Sequence, residues 1–440
     1  MENQVGKFTL DTSITFITRI LQLVLGIGSS IVVARVLGPN GKGVYSLAIL
    51  LPSLLMTFGS FGIGQASVFY IGKKQYALDE ILGNNVMLSF SLGIVGLLVG
   101  LIIVVFLSES LFPGVAKIYI YLALLLVPLG FFLTFINYIL LGLQKIKEFN
   151  FINILQSFTF LIILFAFLLT FKFGVKATII ANVLSCFVGA IVLFYLAKRS
   201  VGKFYLFFNK SYLKEAFKYG FKVYLGNIIG FLHYRIDIFL INIFLNPLAV
   251  GFYSIAVALA EKIWLVSQSA GLVLFPRVSS ETDEKRLKEL TPVVCRNVLL
   301  ITSMGALFLF FLGRMLIIMF YSERFSDSVW PLQILLIGAV TMGGWRILAN
   351  DLYGRGKPEL NIYISLISTV LNIILNILWI PEFGIAGAAW ATSVSYTFAF
   401  IVILIVYKRI SGNSVCKTVF MQRADFILYK RLVTSVARLS

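Results

Sequence analysis

Apolar residues run through this chain in long blocks, with polar, Pro/Gly and charged residues gathered in short clusters between them. A helix rises 1.5 Å per residue, so a run of about 20 apolar residues matches the hydrocarbon thickness of a bilayer. Read this way, the pattern predicts twelve spans. They cover 12–36, 43–72, 84–107, 117–142, 150–171 and 175–197, then 215–244, 249–276, 293–320, 329–353, 359–380 and 384–407. One stretch breaks the pattern. In "GFLHYRIDIFLIN" (230–242), His233, Arg235 and Asp237 fall within five residues of the seventh span. A charge at mid-bilayer costs about 2.5–3.5 kcal/mol, and each Leu or Ile returns only about 0.5 kcal/mol. Such residues are expected to face the bundle interior or a water-filled path.

Composition supports a polytopic, all-α membrane protein. The 440 residues are 59% hydrophobic and 13% charged, with a mean hydropathy of +0.96. A soluble domain is nearer half apolar and a quarter charged. The net charge of +18 reads as cytoplasmic loops obeying the positive-inside rule, not as a nucleic-acid surface. With the N-terminus placed in the cytoplasm, the inward segments collect 23 Lys and Arg residues. The outward ones hold five: Lys42, Lys117, Lys172, Lys176 and Arg324. That asymmetry predicts a cytoplasmic-membrane protein with both termini inside. The N-terminal segment lacks a short apolar core and cleavage site, so it reads as a retained span. The basic tail, 408–440, reads as an amphipathic segment on the anionic inner leaflet or as a solvated end. Cys186, Cys295 and Cys416 are scattered singly, which indicates neither a disulfide framework nor a metal site.

The chain repeats itself. "GVYSLA" (43–48) returns as "GFYSIA" (251–256), and Pro39 returns as Pro247, both at an offset of 208. "FGV" (173–175) returns as "FGI" (383–385), and Lys198-Arg199 as Lys408-Arg409, at an offset of 210. "GLQKIKEFN" (142–150) parallels "GRGKPELN" (354–361). These matches predict two six-span lobes, 1–208 and 209–407, followed by the tail. Six is even, so the lobes share one orientation. That is the parallel-repeat plan of many transporters, with the substrate path between lobes and alternating access by rocking.

"ARVLGPNGKGVYSLA" (34–48) and "FGIGQASVFYIGKKQY" (61–76) resemble the first two spans of polysaccharide- and O-antigen-type flippases. These belong to the multidrug/oligosaccharidyl-lipid/polysaccharide (MOP) exporter superfamily. The resemblance extends over the whole chain in length, span number and repeat. It implies a non-enzymatic flippase that moves undecaprenyl-diphosphate-linked oligosaccharides across the cytoplasmic membrane for surface polysaccharide assembly. Membrane lipids would surround it. Its partners would be a polysaccharide polymerase or ligase, or glycosyltransferases. The rival readings are an ion-coupled small-molecule or drug exporter of the same superfamily and a non-transporting membrane scaffold.

Several chemistries are absent from the sequence. "GPNGKG" (38–43) does not meet the P-loop pattern, and "GIGQAS" (62–67) lies inside a span where close helix packing explains its glycines. No cofactor or metal is called for. No outward loop exceeds about a dozen residues, which argues against an extracytoplasmic catalytic domain.

The intramembrane charges are the candidate site. Arg19 lies on the first span, Arg235 and Asp237 on the seventh, Glu261 and Lys262 on the eighth, and Arg346 on the tenth. Thr12, Thr15, Arg19, Gln22, Gly26 and Ser29 fall on one helical face, and the same face shifted by 208 carries Asn227, Tyr234 and Asp237. Arg19, Arg235, Lys262, Arg346, Gln22 and Asn227 are therefore candidate substrate contacts. Arginine suits a diphosphate because its planar fork donates paired, charge-assisted hydrogen bonds. Each cation has a structural alternative: interhelical pairing for Arg19, an ion pair with Asp237 or Glu261 for Arg235, solvation beside Glu261 for Lys262, and snorkelling for Arg346. His233, Asp237 and Glu261 are candidates for ion or proton coupling, with a hydrogen-bonded structural role as the alternative for His233. His233 and Asp237, four apart, are expected to share a face. A second stripe, Asn361, Ser365, Ser368, Asn372 and Asn376, reads as interhelical glue or as sugar-binding amides.

Overall fold

The computed structural model describes residues 2–170, 174–202, 204–206, 208–281, 283–423 and 425. The chain is helical, with no strand among the described residues. The helices are α1 (Glu2–Gly59), α2 (Ile63–Lys73), α3 (Leu78–Leu111), α4 (Lys117–Leu124), α5 (Leu126–Gly142), α6 (Ile146–Thr170) and α7 (Gly174–Val201). They continue with α8 (Lys210–Phe244), α9 (Pro247–Ala260), α10 (Trp264–Ser280), α11 (Glu284–Tyr321), α12 (Val329–Gly354), α13 (Pro358–Ser411) and α14 (Val415–Val419).

Among the described residues, ten helical stretches are long and apolar enough to cross a membrane. The hydrophobic pattern predicts twelve, and the difference has a local cause. Two of the ten, Ile17–Gly59 and Pro358–Ser411, span 43 and 54 residues, and each holds a non-helical glycine: Gly38 (φ 67°, ψ −178°) and Gly384 (φ 59°, ψ −139°). Only glycine adopts such a backbone at little cost. The second and eighth predicted spans are not continuous either. Phe61 and Gly62 take positive φ values of 44° and 68° between α1 and α2, and a 3₁₀ turn at Glu261–Ile263 separates α9 from α10.

The helices pack as two compact units. One comprises Met1–Phe231 with Asn242–Gly251, and the other Leu232–Ile241 with Phe252–Ser440. In the first unit glycines allow backbones to touch. A Cβ on Gly43 would lie 1.7 Å from the Pro247 carbonyl oxygen, and one on Gly251 would lie 1.9 Å from the Pro39 carbonyl oxygen. Gly43 pairs with Gly251, and Pro39 with Pro247, at the same sequence offset of 208, so the contact is reciprocal. The second unit is built around Leu274, Cys295, Ile347, Leu352 and Tyr407. Large side chains such as Phe106 and Phe311, 77% and 74% exposed, point outward, where a bilayer supplies the apolar surroundings that water would not.

Two turns match bond for bond. After α5, the Leu143, Gln144 and Lys145 amides donate to the Ile139, Leu141 and Leu140 carbonyls. After α12, Arg355, Gly356 and Lys357 donate to Asp351, Tyr353 and Leu352. Every donor and acceptor is displaced by 212 residues, and Gln144 and Gly356 both have positive φ.

The described part of the tail packs into the second unit. Arg296, buried on α11, donates two hydrogen bonds to the Asp425 carboxylate, one of 2.6 Å, and a third of 3.1 Å to the Lys417 carbonyl. Asn413 donates to the Lys288 carbonyl and to the Tyr407 hydroxyl. The remainder of the predicted amphipathic tail, 426–440, lies outside the described residues.

Candidate substrate and ion site

The charges of the seventh span meet their partners inside the second unit. Arg235 projects from α8 and forms a two-pronged ion pair with Glu261, at 2.9 Å and 3.4 Å. The 3₁₀ turn after α9 presents that carboxylate. Both side chains keep some access, 35% and 24% exposed, so the pair is not sealed in a core. Of the readings open to Arg235, pairing with Glu261 is the one observed.

Arg346 on α12 is placed differently. Its Nη2 donates to the Tyr234 hydroxyl at 3.0 Å, and its guanidinium sits 4.6 Å from the centre of the Trp264 ring and 5.6 Å from that of Tyr234. Aromatic faces stabilise a cation through their quadrupole without neutralising its charge. Arg346 enters no ion pair among the described residues, and its buried Nε has no hydrogen-bond partner. Trp264 is itself fixed, its indole donating to the Ala339 carbonyl at 3.1 Å. Tyr234, Trp264 and Tyr396 form a three-ring cluster with centroids 5.5–6.2 Å apart.

Asp237, 3% exposed, lies one turn further along α8. Its carboxylate accepts from the Tyr253 hydroxyl at 2.6 Å and from the Ile238 amide at 2.7 Å, with the Thr392 hydroxyl 3.5 Å away. No cation is bonded to it among the described residues. Asn372 donates to the Thr392 and Ser395 hydroxyls, and Asn376 donates to Asn372. The Asn376 side-chain carbonyl is buried and unpartnered. A cavity of about 20 Å³ is bordered by Asp237, Glu261, Thr392 and the three rings. That holds one water molecule or a bare ion, since a water needs roughly 10–15 Å³ by this measure.

His233 is hydrogen-bonded to α13. Ser368 gives its proton to the Ser395 carbonyl at 2.7 Å, so the His233 Nε2, 3.2 Å from Ser368 Oγ, is the donor of that pair. His233 and Asp237 both reach α13, as their spacing predicts, but through separate partners. The stripe on α13 is buried at Asn361, Ser368, Asn372 and Asn376. Ser368 and Asn372 tie the two halves of that helix together across Gly384.

The other candidates are not drawn into this cluster. Lys262 is exposed, while Arg19, Gln22 and Asn227 belong to the first unit, where Arg19 and Asn227 are exposed and Gln22 is half-buried. Sequence reasoning passed over Trp264, Tyr396, Tyr253 and Thr392. The signal for Trp264 was its place three residues after Glu261, one helical turn on; Tyr396 carried none among 41 Phe and 19 Tyr.

Comparison with known proteins places the fold and the family. The chain is 29% identical over 187 residues to a Haloferax volcanii protein named "Probable low-salt glycan biosynthesis flippase Agl15", covering 42% of this chain and 39% of that one. Its fold matches lipid II flippase MurJ in an inward closed conformation, with a TM-score of 0.74 at 20% identity, over 91% of this chain and 87% of that one. It also matches an inward-facing multidrug resistance MATE family transporter of the MOP superfamily, with a TM-score of 0.70 at 17% identity, over 89% and 94%. The model of the polysaccharide biosynthesis protein family matches residues 8–282. This multi-pass membrane protein, with the fold of MOP-superfamily transporters, therefore belongs to the polysaccharide biosynthesis protein family.

Proposed function

We propose that the protein translocates a polyprenyl-diphosphate-linked oligosaccharide from the inner to the outer leaflet of the cytoplasmic membrane, for surface polysaccharide assembly. Arg346 carries this reading. It is a cation held in place by the faces of Trp264 and Tyr234 and by the Tyr234 hydroxyl, with no carboxylate paired to it among the described residues. Desolvating an arginine without a counter-ion is costly unless an anion arrives, and a diphosphate is the anion its fork fits. The sugars would follow the aqueous path, with the polyprenyl chain left in lipid. Family membership and the fold support the same reading.

The moving parts are two six-span lobes, 1–208 and 209–407, with both termini cytoplasmic. The reciprocal Gly43–Pro247 and Gly251–Pro39 contacts and the two turns matching at an offset of 212 support the parallel repeat. Closing and opening about this glycine contact would expose the site alternately. Arg19, Gln22, Asn227, Arg235 and Lys262 are the further substrate contacts of the open states. The product would pass to a polymerase, ligase or glycosyltransferase.

Asp237 is the coupling group. One carboxylate among neutral hydroxyl and amide oxygens suits Na⁺ or a proton, and the adjoining cavity has room for one small ion and nothing larger. The same carboxylate beside three aromatic rings favours a second reading, export of an organic cation driven by an ion gradient. The two differ in what Arg346 does. For a diphosphate carrier, Arg346→Ala lowers translocation of the lipid-linked glycan in proteoliposomes by at least about tenfold, and Arg346→Lys restores it only in part because an ammonium lacks the planar fork. For an organic-cation exporter, Arg346→Ala leaves or improves export. Unchanged glycan translocation in both variants would remove Arg346 from the site.

A further inference from the structure

A second recess lies in the same unit, away from Arg346 and Asp237. The 3₁₀ turn Glu323–Ser328 leads from α11 into α12, and the break at Gly384 divides α13. Between them is a groove of about 480 Å³ lined by Arg314, Asp327, Trp330, Gln333, Phe383 and Gly384, among others. A Cβ on Gly384 would meet nothing within 4 Å. Its volume falls within the roughly 300–1,000 Å³ of small-molecule sites. The groove is at the end of α12 opposite the Arg355–Lys357 turn, which is the extracytoplasmic end in the orientation given above.

The lining is specific in kind. Trp330 and Phe383 are each 59% exposed and offer bare aromatic faces. Arg314 and Asp327 line one groove yet enter no ion pair among the described residues. Gln333 spends its amide N–H on the Phe310 carbonyl at 3.1 Å, which leaves its carbonyl oxygen to accept. One cation and one anion cancel, so the groove has no net charge with which to hold a phosphate. A neutral ligand with an apolar face and an edge of adjacent hydroxyls satisfies every one of these groups. The aromatic faces take the C–H face of a pyranose, while carboxylate, guanidinium and amide bond paired hydroxyls.

We propose that this groove is a binding site for neutral oligosaccharide, which receives the glycan as it emerges on the outer side. The proposal rests on the flippase reading. The test uses the full-length protein in lipid nanodiscs and the oligosaccharide released by mild acid from the lipid-linked pool of the producing cells, titrated calorimetrically. Wild-type protein binds it. Trp330→Ala and Asp327→Ala weaken binding by about tenfold or more, the loss of a stacking face or a hydrogen-bonding edge. Trp330→Phe, which keeps an aromatic face, retains it and guards against misfolding as the cause. Equal binding by the Ala variants overturns the proposal, as does competition by inorganic diphosphate at the same site. Absent glycan binding in a wild-type protein that still translocates overturns the groove alone. Failure of the wild type to translocate strikes the flippase reading instead.

Discussion

Asp237 and Arg346 stand within one unit of the molecule and neither is bonded to an opposite charge among the described residues, while Arg235 is matched to Glu261. In the proposed cycle the two unpaired groups are the ones left open to a ligand, while Arg235 must exchange Glu261 for substrate. Asp237→Asn preserves size and most hydrogen bonds but removes the charge. It is expected to abolish the dependence of transport on an imposed Na⁺ or proton gradient while leaving gradient-free exchange measurable, as counterflow in proteoliposomes would show. Full gradient dependence in that variant would exclude Asp237 as the coupling group. The charges were legible in the sequence because a bilayer makes every one conspicuous against Leu and Ile. Trp264, Tyr253 and Tyr396 were not, because an aromatic residue in a span is as much at home against lipid as against a guanidinium, and only packing tells them apart.

At the scale of helices, apolar runs and turn residues located most of the elements, and the interruptions carried the surprises. Gly38 and Gly384 join pairs of predicted spans into single long stretches, because a glycine in an unusual conformation can redirect a helix without a loop. Phe61 interrupts a span whose apolar run continues past it, and the turn at Glu261 lies inside a longer apolar run; nothing in hydropathy reports φ. The Gly43–Gly251 contact is the element most exposed to a single methyl group. Gly251→Ala would place its Cβ against the Pro39 carbonyl, where backbone must move. The expected result is a protein that folds but cannot close at this contact, with transport lowered about tenfold or more, the effect of roughly 1.4 kcal/mol or more. Spin labels flanking positions 43 and 251 would report a longer mean distance. An unchanged distance with full transport would show that the contact takes no part in the cycle.

For the whole molecule, the described start of the tail carries a contact that charge counting does not report: Arg296 and Asp425 form a buried pair, 4% and 2% exposed. Removing one member of a buried pair commonly costs about 3–5 kcal/mol. Its Arg296 hydrogen bonds hold the Asp425 carboxyl below its ordinary value of 3.8. The stabilisation is therefore full above that value and is lost as pH falls through the lowered one. Asp425→Asn should speed tryptic cleavage after Lys417 and Arg423 at neutral pH by about tenfold or more, and wild-type protein should approach that rate only in strong acid, read with an acid-active protease. Equal cleavage of the two at neutral pH would show that the pair does not hold the tail.

In the proposed function a diphosphate-linked glycan crosses the membrane through this protein. The most direct test of this is reconstitution of the purified chain in liposomes carrying fluorescent polyprenyl-diphosphate oligosaccharide in both leaflets, followed by addition of an external glycan-modifying enzyme. In protein-free vesicles about half of the lipid is modified, the outer-leaflet share. With the protein present, modification should run to near completion, and Arg346→Ala should slow the second phase toward that of empty vesicles. Modification that halts at the same level with and without protein, under an imposed ion gradient as well, would contradict the account.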